Sequence, residues 1–171
     1  MTNTIRCLAL AVLIAATMAV APVSTRAATA VPRCHTGRLY VTVSGSNGAL
    51  GHIAVTLRFR SVASTACSLY RFPGMQLVSA KGQNMTTHLL WGTGSQLPNV
   101  PKKTILVAPG GAAYATFMYA DVPTGNETCP AVGYYLVTPP NETTTVVVPA
   151  DGATPCGGRV SITPVMGKAL F

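Results

Sequence analysis

Across residues 38–44 apolar and polar side chains alternate one by one: Leu39, Val41 and Val43 fall on one side, Arg38, Tyr40, Thr42 and Ser44 on the other. A period of two is that of a half-buried β-strand. Residues 52–60 repeat the pattern, with Ile53, Val55, Leu57 and Phe59 set against His52, Ala54, Thr56, Arg58 and Arg60. Gly45-Ser46-Asn47-Gly48 lies between the two runs and is built from residues that accept positive φ. The pair is therefore predicted to form an antiparallel hairpin centred near Asn47 and Gly48.

Further strands are predicted near 75–79, 104–108, 112–120, 133–138, 143–148 and 159–163, separated by turn punctuation such as Pro109-Gly110-Gly111 and Pro139-Pro140-Asn141. Residues 81–103 read as a long loop or as one irregular strand near 88–91. Short strands at regular spacing, with no helix longer than a turn, predict an all-β fold. The expected architecture is an antiparallel immunoglobulin-like β-sandwich of seven to nine short strands.

The N-terminal residues do not fit that alternation. Arg6 precedes an almost unbroken apolar run over 7–20, and small residues follow around Ala27 to Ala30. These are the three regions of a secretory signal peptide. The run falls short of the roughly 20 apolar residues that span a bilayer. Residues 1–30 are read as the signal, cleaved after Ala30 or alternatively after Ala27, leaving 31–171 as a single domain that does not span the membrane and is secreted or extracytoplasmic.

Removing the signal changes the cysteine count from five to an even four: Cys34, Cys67, Cys129 and Cys156. An even set in an exported chain predicts two disulfides, and the wide gaps lack the close ligand pairs of a structural zinc site. In an antiparallel hairpin the residues before the first strand and after the second emerge at the same end. Cys34 with Cys67 is then the economical bridge, and the same argument around 133–138 and 143–148 pairs Cys129 with Cys156.

These pieces together are similar to the actinobacterial secreted family known as domain of unknown function 4232. The resemblance rests on Cys34 ahead of Leu39, on Cys67-Ser68-Leu69-Tyr70-Arg71-Phe72-Pro73-Gly74, on Val107-Ala108-Pro109-Gly110-Gly111-Ala112, and on Cys129 and Cys156 ahead of their strands. It implies a small exported β-sandwich with paired cysteines, often in the cell envelope and sometimes lipid-anchored. It implies no activity.

Composition narrows the chemistry. Only 9% of residues are charged, with 12 basic against 4 acidic, where an ordinary domain carries about 25% charged residues. The acids Asp121, Glu127, Glu142 and Asp151 all stand in turn-like stretches and are expected as solvated surface groups. No nucleophile elbow, His-Glu-x-x-His pair or phosphate loop is present, so the protein is read as a non-enzyme without cofactor. A small secreted hydrolase with a loop-borne site is the alternative. Extracytoplasmic copper binding, through Met85, His88, His52 and Met75, is the second alternative.

The basic residues suggest contact. In the predicted hairpin Arg38 sits almost opposite Arg58, with Arg60 diagonal and Tyr40 beside them. Like charges opposed across a strand pair cost stability, so such a cluster is a candidate surface for an anionic envelope polymer, a lipid head group or an acidic protein. Trp91, the one tryptophan, reads as a loop anchor or as an exposed contact residue of that surface. Nucleic acid is not expected, since the 6% of aromatic residues form no stacking stripe. The reading is an envelope or extracellular binding module.

Overall fold

The computed structural model describes residues 30–92 and 97–171. Residues 1–29 of the predicted signal, with the alternative cleavage point at Ala27, lie outside the described residues. The described chain forms ten strands: β1 (Leu39–Ala49), β2 (His52–Ser61), β3 (Cys67–Leu69), β4 (Gly74–Val78), β5 (His88–Trp91), β6 (Ile105–Val107), β7 (Ala112–Ala120), β8 (Tyr134–Thr138), β9 (Val146–Pro149) and β10 (Arg159–Ile162). Two single 3-10 turns, Thr36–Arg38 and Cys156–Gly158, complete the elements. No helix among the described residues is long and apolar enough to cross a membrane.

A five-stranded sheet in the order β1-β2-β7-β10-β5 faces a three-stranded sheet, β4-β8-β9, and a third pair joins β3 to β6. The core lies between them. Phe117 of β7 meets Tyr135 of β8 edge to face, with ring centroids 4.9 Å apart. Leu57 and Phe59 from β2, Val137 from β8 and Val148 from β9 are buried alongside, and Leu69 and Val107 extend the same core beneath the small sheet. The structure bonds Cys34 to Cys67 and Cys129 to Cys156.

The count exceeds the expected seven to nine because residues 67–69 and 88–91 both pair as strands. One pairing departs from the antiparallel expectation: β5 runs parallel to β10, with Ile162 beside Trp91. Parallel neighbours need a long crossover rather than a tight turn, and most of the chain's second half separates these two strands.

The first hairpin turns later than expected. Residues 45–48 belong to β1, pairing from Gly45 with Thr56 to Gly48 with Ile53 after a bulge at Val43 and Gly45. The reversal falls on Leu50 and Gly51, whose φ values of 51° and 73° suit a two-residue hairpin loop. The bulge absorbs one extra residue, with the Ser44 hydroxyl donating to the Thr56 carbonyl at 3.3 Å. The later turn shifts the whole register. Tyr40 stands opposite Arg60 and Thr42 opposite Arg58, while the Arg38 carbonyl accepts from Val62 N–H at 2.9 Å. The expected Arg38–Arg58 opposition is therefore corrected: Arg38 faces Val62.

Candidate functional site

Four separate segments converge beside β5 and enclose a cleft of about 560 Å³. The first is the link between β3 and β4, where Arg71 adopts a φ of 78°. A non-glycine residue tolerates that region only when its surroundings impose it; here the Arg71 carbonyl accepts from Val165 N–H at 2.9 Å, pinning the link to the chain that follows β10. Phe72 is thereby held against Trp91, the last residue of β5. The two rings lie 10° from parallel with centroids 6.3 Å apart, and Trp91 remains 67% exposed.

Lys102, on the extended approach to β6, places its Nζ 6.0 Å from the Phe72 ring centroid. The Arg71 guanidinium lies 5.4 Å from the ring of Tyr70. Thr138 and the turn Pro139-Pro140-Asn141 close the far side, with Glu142 N–H donating to the Pro139 carbonyl at 3.2 Å. A second cleft, of about 320 Å³, shares Phe72, Trp91 and Lys102 with the first. The stacked rings thus form a ridge between two concavities.

Glu142 is the acidic residue in the lining of either cleft, and its charge is already engaged. Its side chain is only 9% exposed, against the expectation of a solvated carboxylate. Oε2 accepts from the N–H and the hydroxyl of Thr36; Oε1 lies 3.3 Å from Arg33 Nε and 3.3 Å from His35 Nδ1. The Thr36 backbone N–H, more than the flanking Arg33 and His35, holds this carboxyl below the usual carboxylate range, and burial opposes it only partly. Oε1 makes no hydrogen bond beyond these ion contacts, and the other charged groups lining the cleft are the cations Arg71 and Lys102.

Arg71, Phe72 and Gly74, at the end of the segment that starts at Cys67, thus form one wall, while the fold is bracketed by Cys34 near its start and by Met166, which bridges to Tyr114. A family pattern described as domain of unknown function, DUF4232, matches residues 34–166. The chain belongs to this family. No curated protein and no solved structure matches it.

In this DUF4232 domain the sequence-derived candidates are divided. Tyr40 and Arg60 form an exposed cross-strand pair on the hairpin. Arg58 is half-buried between Thr42 and Tyr114, and its Nε finds no hydrogen-bond partner. Arg38 stands exposed beyond them. Trp91 sits at the opposite edge of the five-stranded sheet, so the structure does not bring it to the arginines. Arg71, Phe72, Lys102 and Thr138 were not singled out by sequence pattern. The first two lay within the block quoted for the family resemblance, and Asn141 within a segment read as turn punctuation. The copper alternative also disperses, with Met75 buried in the core, Met85 packed against it and His88 exposed at the start of β5.

Proposed function

We propose that this domain is a secreted, non-catalytic binding module of the cell envelope or its surroundings, and that it takes an anionic ligand in the cleft beside β5. The observation that carries the reading is the stacked Phe72–Trp91 pair flanked by Arg71 and Lys102 in a concavity of about 560 Å³, within the roughly 300–1,000 Å³ of ordinary ligand sites. Aromatic and arginine side chains are the residues most often found at recognition hot spots. Two bridged cysteine pairs are compatible with an oxidising compartment.

One observation favours the hydrolase alternative: a histidine meets a carboxylate, His35 with Glu142. The binding reading is preferred on chemical grounds. Oε2 is taken up by the two Thr36 donors while Oε1, which makes no hydrogen bond, lies 3.3 Å from Arg33 Nε, and a carboxyl held below its usual range is tuned away from the proton donation a general acid performs near neutrality. The experiment is a comparison of two double variants, Arg71→Ala with Lys102→Ala and Arg38→Ala with Arg60→Ala, for retention on cell-envelope fractions at low and high salt. Retention is expected to fall only for the cleft variant and to weaken with salt in the wild type. Equal retention of the cleft variant and the wild type would sink the reading.

A further inference from the structure

The ridge between the two clefts gives the ligand a shape as well as a charge, and the following step rests on the binding reading above. Phe72 covers one side of Trp91, and the indole stays 67% exposed. An aromatic face is electron-rich, and the weakly positive C–H face of a pyranose ring complements it. Both concavities are lined by Phe72, Trp91 and Lys102, so a molecule occupying both lies against these three shared side chains, of which the indole is the exposed aromatic face. That geometry suits a chain of rings rather than one.

The polar groups point to the same class. Thr138 and Asn141 in the larger cleft and Asn99 in the smaller offer neutral hydroxyl and amide partners. Asn141 Nδ2 reaches only the Tyr70 carbonyl, at 3.5 Å. Arg71 supplies a planar fork suited to a carboxylate, and Lys102 a point charge shared by both clefts. With Glu142 internally neutralised, the ligand carries the negative charge. A membrane surface would use neither concavity, whereas Trp91 and Lys102 line both.

We propose that the paired clefts bind an acidic oligosaccharide, one pyranose stacked on Trp91 and its carboxylates paired with Arg71 and Lys102. The test titrates the bridged protein with oligogalacturonates, a disaccharide and a hexasaccharide, and with the methyl ester of the hexasaccharide. Trp91, the one tryptophan, reports directly by fluorescence, and calorimetry follows variants that lack it.

The hexasaccharide is expected to bind more tightly than the disaccharide and at least roughly tenfold more tightly than its ester, the effect of losing a charge-assisted hydrogen bond. Trp91→Ala should abolish binding while Trp91→Phe retains most of it, which separates loss of the stacking face from loss of the fold. Equal affinity for acid and ester, or unchanged affinity in Trp91→Ala, would overturn the proposal. Binding of phosphatidylglycerol vesicles or an oligoglutamate peptide in place of the saccharide would overturn the saccharide class and leave the anionic-ligand reading standing. Failure to bind all three probes would overturn both.

Discussion

Thr36 donates its backbone N–H and its hydroxyl to the same oxygen of Glu142, at 2.9 and 3.0 Å, across 106 residues of sequence. The contact ties the chain around Cys34 to the turn after β8, beneath the larger cleft. Removing the carboxylate in Glu142→Ala leaves the part-buried Thr36 N–H without its acceptor, while the hydroxyl keeps the Thr144 carbonyl at 3.3 Å, at a cost of about 1–3 kcal/mol. Chemical denaturation at neutral pH measures it.

The same pair dictates a pH dependence. The folded carboxyl is held below its ordinary value of 4.5, so the unfolded chain binds the proton first as pH falls. Its stabilisation is fully present above that ordinary value and is lost as pH drops through the lower folded value. In Glu142→Gln the midpoint-against-pH curve should therefore flatten on its acid side relative to wild type. A variant curve of unchanged slope would refute the assignment.

Gly133 enters β8 with its N–H on the Val78 carbonyl at 2.8 Å and its own carbonyl accepting from Ala150 N–H at 3.0 Å. A Cβ there would stand 2.5 Å from Ala80 Cα, which is backbone and cannot swing aside. Gly133→Ala must push the β4–β8 pairing apart, and about 1–3 kcal/mol of destabilisation is expected. Gly37 provides the control, since a Cβ at that position meets nothing within 4 Å. Urea midpoints of the two variants should differ clearly, with Gly37→Ala close to wild type.

The bridges close loops of 33 and 27 residues. Replacing both members of either pair by serine should cost about 2–5 kcal/mol, visible as a fall in melting temperature that reductant reproduces in the wild type. Cys34–Cys67 also anchors the segment that carries Arg33, His35 and Thr36 to Glu142. Its removal should lower cleft binding as well as stability, whereas removal of Cys129–Cys156 should act on stability alone.

The sheet was legible wherever one face is buried. Alternation in 38–44 and 52–60 foretold β1 and β2, because a pleated strand with one face on the core imposes period two on its residues. Register was not legible. Gly45 to Gly48 carries turn chemistry, yet the bulge and the Leu50-Gly51 reversal overrode it, and four residues of shift moved Arg38 from Arg58 to Val62. The cleft was invisible for a related reason. Arg71, Trp91, Lys102 and Asn141 come from four segments too short for any periodicity, and two of them hold positive φ values that follow from tertiary contacts.

Tyr135 is 1% exposed and packs at the end of the sandwich away from the ridge, where a smaller pocket also gathers Tyr119, Asp121 and Asp151. Burial, then the neighbouring Tyr119 and Asp151, push the Tyr135 phenol far above its ordinary value of 10.0. Burial and Asp121 raise Tyr119 as well. With folded values above unfolded ones, the folded state holds these protons longer, so stability is intact below the ordinary value and falls as pH rises beyond it. Of the six tyrosines, these two should release their protons only as the protein unfolds, giving a late step in the phenolate absorbance titration. Tyr135→Phe should remove about half of that step, one phenol of the two, and flatten the alkaline loss of stability, at about 1 kcal/mol near neutrality for the missing hydroxyl. If all six phenols titrated together in the folded protein, the burial argument for this pair would fail.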